Sequence, residues 1–147
     1  MKTLTETLLV AHHRDEFLDD VVALIETHVA RLPGLKGLTF KAGLVAANRA
    51  VPDVIQRGTR RLMPQFLDAI EPLHQEFRTS GTGDFSVFFG RNADRAAELL
   101  LSVSDARLAQ SQNATAQSFY KTFRGYVSRE LSSAMPAFGK LIRNYLG

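Results

Sequence analysis

The sequence predicts an all-α fold, a compact bundle of about six or seven helices forming one domain over residues 1–147. Three observations carry this prediction. Apolar residues recur at three- and four-residue steps along most of the chain, as they do on one stripe of an α-helix. No stretch sustains the apolar–polar alternation of a half-buried strand. Prolines and glycines punctuate the periodic stretches where helices would start and stop.

From Asp15 to Leu32, the residues Phe17, Val21, Leu24, Ile25, Val29 and Leu32 fall on one stripe, and Pro33-Gly34 ends the helix. A second helix is expected from about Leu38 to Ala50. Its rows of small residues, Ala42, Ala46 and Ala50 beside Gly43 and Ala47, would let another helix of the chain approach closely. Pro52 and Pro64 are expected to open two further helices, because the fixed φ of proline suits the first helical turn. Pro72 should then kink or stop the second of these near Glu71. The stretch Thr79-Ser80-Gly81-Thr82-Gly83 reads as the clear mid-chain loop, with Asp84 as N-cap of the segment after it. After Phe85, Phe88 and Phe89, one helix is expected from about Asn92 through Leu101 and a long one from about Asn113 to Ala134. The stripe of the long helix is Ala116, Phe119, Tyr120, Phe123, Val127, Leu131 and Ala134. Met135-Pro136 then restarts the chain as a final helix with Phe138, Leu141, Ile142 and Tyr145 inward.

Two segments echo one another, MPQFLDAI at Met63 to Ile70 and MPAFGKLI at Met135 to Ile142. In each, Phe and Ile stand four residues apart and share a helix face, which predicts core positions at Phe66 and Phe138 and no functional site. The alternative origin is duplication of a helical unit, giving two pseudo-repeated halves joined at the glycine-bearing loop; two units are too few for a solenoid.

Composition removes several function classes. At 147 residues, with 45% hydrophobic and 22% charged positions, the chain can bury a core that needs no staples. It has no cysteine, which excludes disulfide frameworks, thiolate nucleophiles and cysteine-ligated metal. The apolar run Leu8-Leu9-Val10-Ala11 is too short for a signal-peptide core, and no run reaches the roughly 18 apolar residues of a spanning helix. A cytoplasmic protein without a membrane span is therefore expected, in which the Asn113-Ala114-Thr115 sequon is idle. The net charge of +3 alternates along the chain, with acidic residues in excess over 1–31 and 64–110 and basic ones over 32–63 and 111–147. Complementary helix rims explain this alternation, and a basic binding face is the competing reading.

Motifs for chemistry are mostly missing. A helix through His12, His13, Glu16, Asp19 and Asp20 would line up types that ligate divalent metals, yet one helix face supplies too few ligands, and carboxylates in a first turn are explained by the macrodipole. His28 and His74 stand alone, as hydrogen-bonded structural histidines do. Gly81-Thr82-Gly83 lacks the strand, the third glycine and the Lys-Ser/Thr ending of phosphate-binding loops. Arg124-Gly125-Tyr126-Val127 matches part of an RNA-recognition signature that works only on a strand, and the surrounding period is helical. No nucleophile elbow or Ser-x-x-Lys spacing frames a serine.

Two candidate surfaces remain. Arg57, Arg60 and Arg61, with Lys41 and Arg49 before them, form the densest basic patch, a site for polyanions if it is more than a solvated face. Phe85, Phe88 and Phe89 behind the loop are either a ligand or partner surface or the plug of the core. The segments Leu4-Thr5-Glu6-Thr7-Leu8, Gly34-Leu35-Lys36-Gly37, Pro52-Asp53-Val54-Ile55 with Leu62-Met63-Pro64, and Val103-Ser104-Asp105-Ala106-Arg107 resemble a family of small bacterial all-helical proteins with no established activity. The resemblance implies a bacterial, cytoplasmic, single-domain helical protein; it transfers no catalytic residue or cofactor, and Asp105 with Arg107 would be a helix-start charge pair. The expected function is accordingly non-enzymatic, without cofactor or metal: self-association or docking of a protein partner through a helix face. The alternative is a carrier holding an acyl chain between helices; nucleic acid is not an expected partner.

Overall fold

The apolar stripes become helices over longer stretches than the punctuation suggests. The computed structural model describes residues 2–9, 13–80 and 83–146. Among these lie seven helices and no strand: α1 Leu4–Leu8, α2 Arg14–Ala30, α3 Gly34–Ala50, α4 Val54–Ser80, α5 Phe85–Arg91, α6 Ala93–Ala109 and α7 Ala114–Leu146. The all-α bundle expected from periodicity is what forms. His12 of the metal reading, and Gly81 and Thr82 of the loop reading, lie outside the described residues.

The proline boundaries are corrected. Pro64 and Pro72 both lie inside a continuous α4, and Pro136 lies inside α7. An interior proline removes one helical hydrogen bond and crowds the carbonyl four residues back, at a cost of about 3 kcal/mol. Tertiary burial outweighs that local cost here: Met63, Leu67, Ile70 and Leu73 in α4, and Met135, Phe138 and Ile142 in α7, are all buried in the core. Pro52 does not open α4 directly. It sits in a turn whose next residue, Asp53, has φ +60°, and the first amide of α4, at Val54, donates to Asn48 Oδ1 at 3.1 Å. α3 begins at Gly34, four residues earlier than expected, because Gly34 takes φ +73° after an extended Pro33 and lets the chain turn straight from α2 into α3. α6 continues past Leu101 to Ala109.

Side-chain pairs set the topology. Arg60 meets Asp15 and Asp19 while Gln56 meets Glu26, so α2 runs antiparallel to α4. Arg95 pairs with Glu76 at one end of α6, and Arg61 shares a groove with Arg107 near the other, so α6 is antiparallel to α4 as well. Asp105 holds Arg124 through two hydrogen bonds of 2.9 and 2.7 Å and accepts a third from the Tyr120 hydroxyl, while Ser132 donates to Asp94 at the other end of α6, so α6 is antiparallel to α7. Asp105 is thus an anchor between helices, late in α6, and not a helix-start partner of Arg107. The far end of α7 returns along α2, where Tyr145 donates to Asp20 and lies edge-on to Phe17, and Glu130 meets His28 at 2.8 Å.

The core draws on α1, α2, α4, α5, α6 and the last third of α7, and includes Leu4, Leu8, Phe17, Leu67, Ile70, Phe89 and Ile142. Both echoes therefore contribute core residues. Phe138 is buried, whereas Phe66 is half-buried against the edge of the cluster. α1 has no counterpart among the helices expected from periodicity. Its backbone is tied to α4 by the Leu4 amide, which donates to Glu71 Oε1 at 2.6 Å. Burial pushes the Glu71 carboxyl up, but hydrogen bonds from Leu4, Gln75 and His74 outweigh it and leave the group below its ordinary range.

Asp84 is the N-cap of α5, as its position after the loop predicts. It accepts from the Ser86 amide at 2.8 Å and hydroxyl at 2.6 Å, and its second oxygen meets Arg143 of α7 at 2.8 Å. These bonds, from Ser86 first and Arg143 next, lower its carboxyl to about 2 from 3.8. A depressed folded-state pKa gives stability that is present above the unfolded value and lost as pH falls through the folded one. The melting temperature should therefore decline between pH 4 and pH 2 more steeply in the native chain than in Asp84→Asn, an outcome read by calorimetry at stepped pH. Parallel declines would show that Asp84 contributes nothing.

Candidate functional site

The phenylalanine segment is placed first by its own helix. In α5, residues 85 and 89 share the inward face one turn apart, so Phe85 and Phe89 enter the core and their rings stack at 5.4 Å. Phe89 continues to Phe138 at 6.1 Å, and Phe85 meets Phe77 and His74 edge-on at 5.4 and 5.7 Å. Neither ring presents a surface to a partner. Phe88 is half-buried beside Phe77, and Val87 is the exposed apolar residue of this helix. A glycine makes this packing possible: a Cβ on Gly139 of α7 would lie 2.9 Å from Phe89 Cδ2.

The basic patch splays apart. Arg60 turns to α2 and pairs with Asp15 at 3.2 Å and Asp19 at 3.6 Å, while Arg57 and Arg61 form no ion pair among the described residues. Arg61 instead lines an open groove of about 450 Å³ with Arg107, Leu108, Gln110 and Ser111. Three acidic residues of α2 are likewise engaged: Asp15 and Asp19 hold Arg60, and Asp20 holds Tyr145. The His13 ring bonds the Thr7 carbonyl at 2.7 Å and lies 5.5 Å from the Tyr145 ring. Among the described residues no group of three or more His, Asp and Glu side chains could hold a metal ion. His28 and His74 pair with Glu130 and Glu71.

The most unusual surface belongs to α3. Its inner side rests on the first half of α7 through rings: Phe40 lies 5.8, 5.7 and 5.9 Å from Phe119, Phe123 and Tyr126. Gly43 sits directly on the Phe119 ring, where a Cβ would not fit. The outer side carries a second apolar stripe, Leu35, Leu38, Ala42 and Val45, spaced three and four residues apart. All four are exposed, Leu35 by 83%, Leu38 by 62% and Val45 by 54%. A helix apolar on two sides is expected inside a protein, yet α3 is covered on one side only.

Beside the stripe, α3 and α7 enclose an open groove of about 540 Å³. Leu35, Phe123 and Tyr126 supply apolar walls, and Lys36 and Arg129 supply two cations. The Tyr126 hydroxyl makes no hydrogen bond among the described residues. Burial pushes that phenol above its ordinary range. Sequence reasoning named the small residues of this helix and missed its leucines. The usable signal was that α3 carries apolar side chains on more of its circumference than one bundle contact requires.

The comparisons with known proteins add one assignment. No curated protein and no solved structure matches the chain. A family model, however, matches residues 4–146, nearly the whole length that folds into the seven helices, and the chain belongs to that family of unknown function, DUF6918.

Proposed function

We propose that the chain is a non-enzymatic binding protein of the bacterial cytoplasm, and that it docks through the outer face of α3. The observation that carries this reading is the contiguous exposed stripe of Leu35, Leu38, Ala42 and Val45. Single exposed apolar residues are ordinary, whereas a continuous row on one helix marks a surface that is covered in use. The non-enzymatic part is supported by the ionisable side chains. Glu71, Asp84, Asp105 and Glu130 each accept hydrogen bonds that join structural elements. A chain without cysteine, needing no oxidative folding, suits the cytoplasm.

A photo-crosslinking amino acid tests the docking face in living cells. Placed at position 38 it should yield abundant adducts, and placed at position 87, where Val87 is 50% exposed on α5, it should yield few. Equal labelling at both positions, or none at position 38, overturns the reading.

A further inference from the structure

Charge decides what covers α3. The helix holds Lys36, Lys41 and Arg49 and no acidic residue, and Arg129 of α7 stands across the groove from Lys36. Lys41 is engaged with the Ala30 carbonyl at 3.1 Å, while Lys36, Arg49 and Arg129 make no ion pair among the described residues. A stripe so edged disfavours a second copy of itself, since each copy would bring three unpaired cations to the contact, while Glu130, the carboxylate beside Tyr126, is paired with His28. Size points the same way. A helix of 17 residues is about 25 Å long and 10 Å wide, and one face of it falls short of the roughly 800 Å² per partner that a stable dimer buries. A lipid surface has no such threshold, because apolar insertion and attraction to anionic headgroups add residue by residue.

We propose that α3 docks in the plane of an anionic phospholipid surface, with Leu35, Leu38 and Val45 inserted at the acyl boundary and Lys36, Arg49 and Arg129 set against headgroup phosphates. This rests on the docking reading above and names its partner. The geometry suits the role: the groove beside the stripe joins apolar walls at Phe123 and Tyr126 to the cations Lys36 and Arg129, the combination a phospholipid presents in reverse. It is a surface contact and not a span, as no helix among the described residues is long and apolar enough to cross a membrane.

Flotation of the full chain with vesicles of phosphatidylcholine, with and without phosphatidylglycerol, tests this. Partition to the anionic vesicles should exceed that to neutral ones by at least about tenfold at low salt and fall as salt rises. Leu35→Gln with Leu38→Gln should lower it by about tenfold or more, and Lys36→Gln with Arg49→Gln by roughly fivefold per cation removed. Val87→Gln, an exposed apolar change away from α3, should leave it unaltered, and circular dichroism confirms that each variant folds. The proposal is overturned if no vesicle binding occurs, if binding survives loss of the two leucines, or if it vanishes only with Arg61→Gln and Arg107→Gln. It is overturned as well by a dimer, seen in sedimentation at micromolar concentration, that the leucine changes abolish. Protein adducts at position 38 without vesicle binding remove the lipid surface and leave docking standing; an absence of adducts removes docking itself.

Discussion

Replacing Phe89 by alanine lowers the free energy of unfolding by about 3–5 kcal/mol. The ring is fully buried between Phe85 and Phe138, so its removal loses the transfer free energy and leaves a cavity walled by two other rings. The sharper result comes from Gly139. A methyl group there would stand 2.9 Å from Phe89 Cδ2 and 3.1 Å from its Cβ, and the neighbouring rings leave Phe89 little room to yield. Gly139→Ala alone should therefore destabilise by about 1–3 kcal/mol through overpacking, although alanine is favoured over glycine in a helix by about 1 kcal/mol. The Phe89→Ala background removes the ring and its 2.9 Å contact but keeps the Cβ at 3.1 Å, so the same substitution should be less destabilising there by about 1 kcal/mol or more. Urea titrations of the four proteins read this difference as a coupling energy. A Gly139→Ala effect that is the same in both backgrounds would mean that the α5–α7 contact is not set by this pair.

The second large effect lies in α1. A helix of five residues cannot hold itself in water, so α1 exists because Leu4 and Leu8, both fully buried, are inserted in the core. The Thr3 hydroxyl caps it by accepting from the Glu6 amide at 3.1 Å, and the Thr5 hydroxyl donates to Asp68 at 2.5 Å. Each leucine exchanged for alanine should cost about 2–5 kcal/mol. Because the two are neighbours their effects need not add, yet together they approach the whole stability of a typical domain, about 5–15 kcal/mol. Leu4→Ala with Leu8→Ala should therefore be largely unfolded at the temperature where the native chain is folded. The same exchange at Leu35 and Leu38, which are exposed, should shift stability by no more than about 0.5 kcal/mol per site. Thermal melts of the two double variants compare them directly; a loss below about 1 kcal/mol in the α1 pair would show that the segment is an attachment and not part of the core.

These contrasts also explain what was legible in the sequence. Periodicity identified the helices because a stripe such as Phe17, Val21 and Leu24 records which side faces the interior. Proline misled at positions 64 and 136, and as a stop at 72, because the rule weighs a local cost, while burial of partners such as Leu67, Ile70 and Ile142 against distant segments opposes it. α1 is too short to show a period. Asp105 suggested its sequence neighbour Arg107, but its partner is Arg124, brought near only by the α6–α7 turn. For the candidate site the difficulty runs deeper. Leu38 and Leu67 are the same residue on similar stripes, and only the packing of the remaining helices leaves one at 62% exposure and the other at zero.

The continuity of α7 has a mechanical consequence. Its buried residues, Met135, Phe138, Gly139 and Ile142, all lie from position 135 onward, while the earlier part carries α3 on its rings and is braced along one side by α6. The helix is therefore a beam seated in the core at one end, carrying α3 near the other, and propped between them by the bonds of Asp105 to Tyr120 and Arg124. Pro136 stands at the seated end, where the Ser132 carbonyl lacks its helical donor and the rod bends most readily. A tilt of about 5° there carries Ala114, about 33 Å away, through about 3 Å. Without the Asp105–Arg124 prop, a load on α3 would act on the root where Phe89 rests on Gly139.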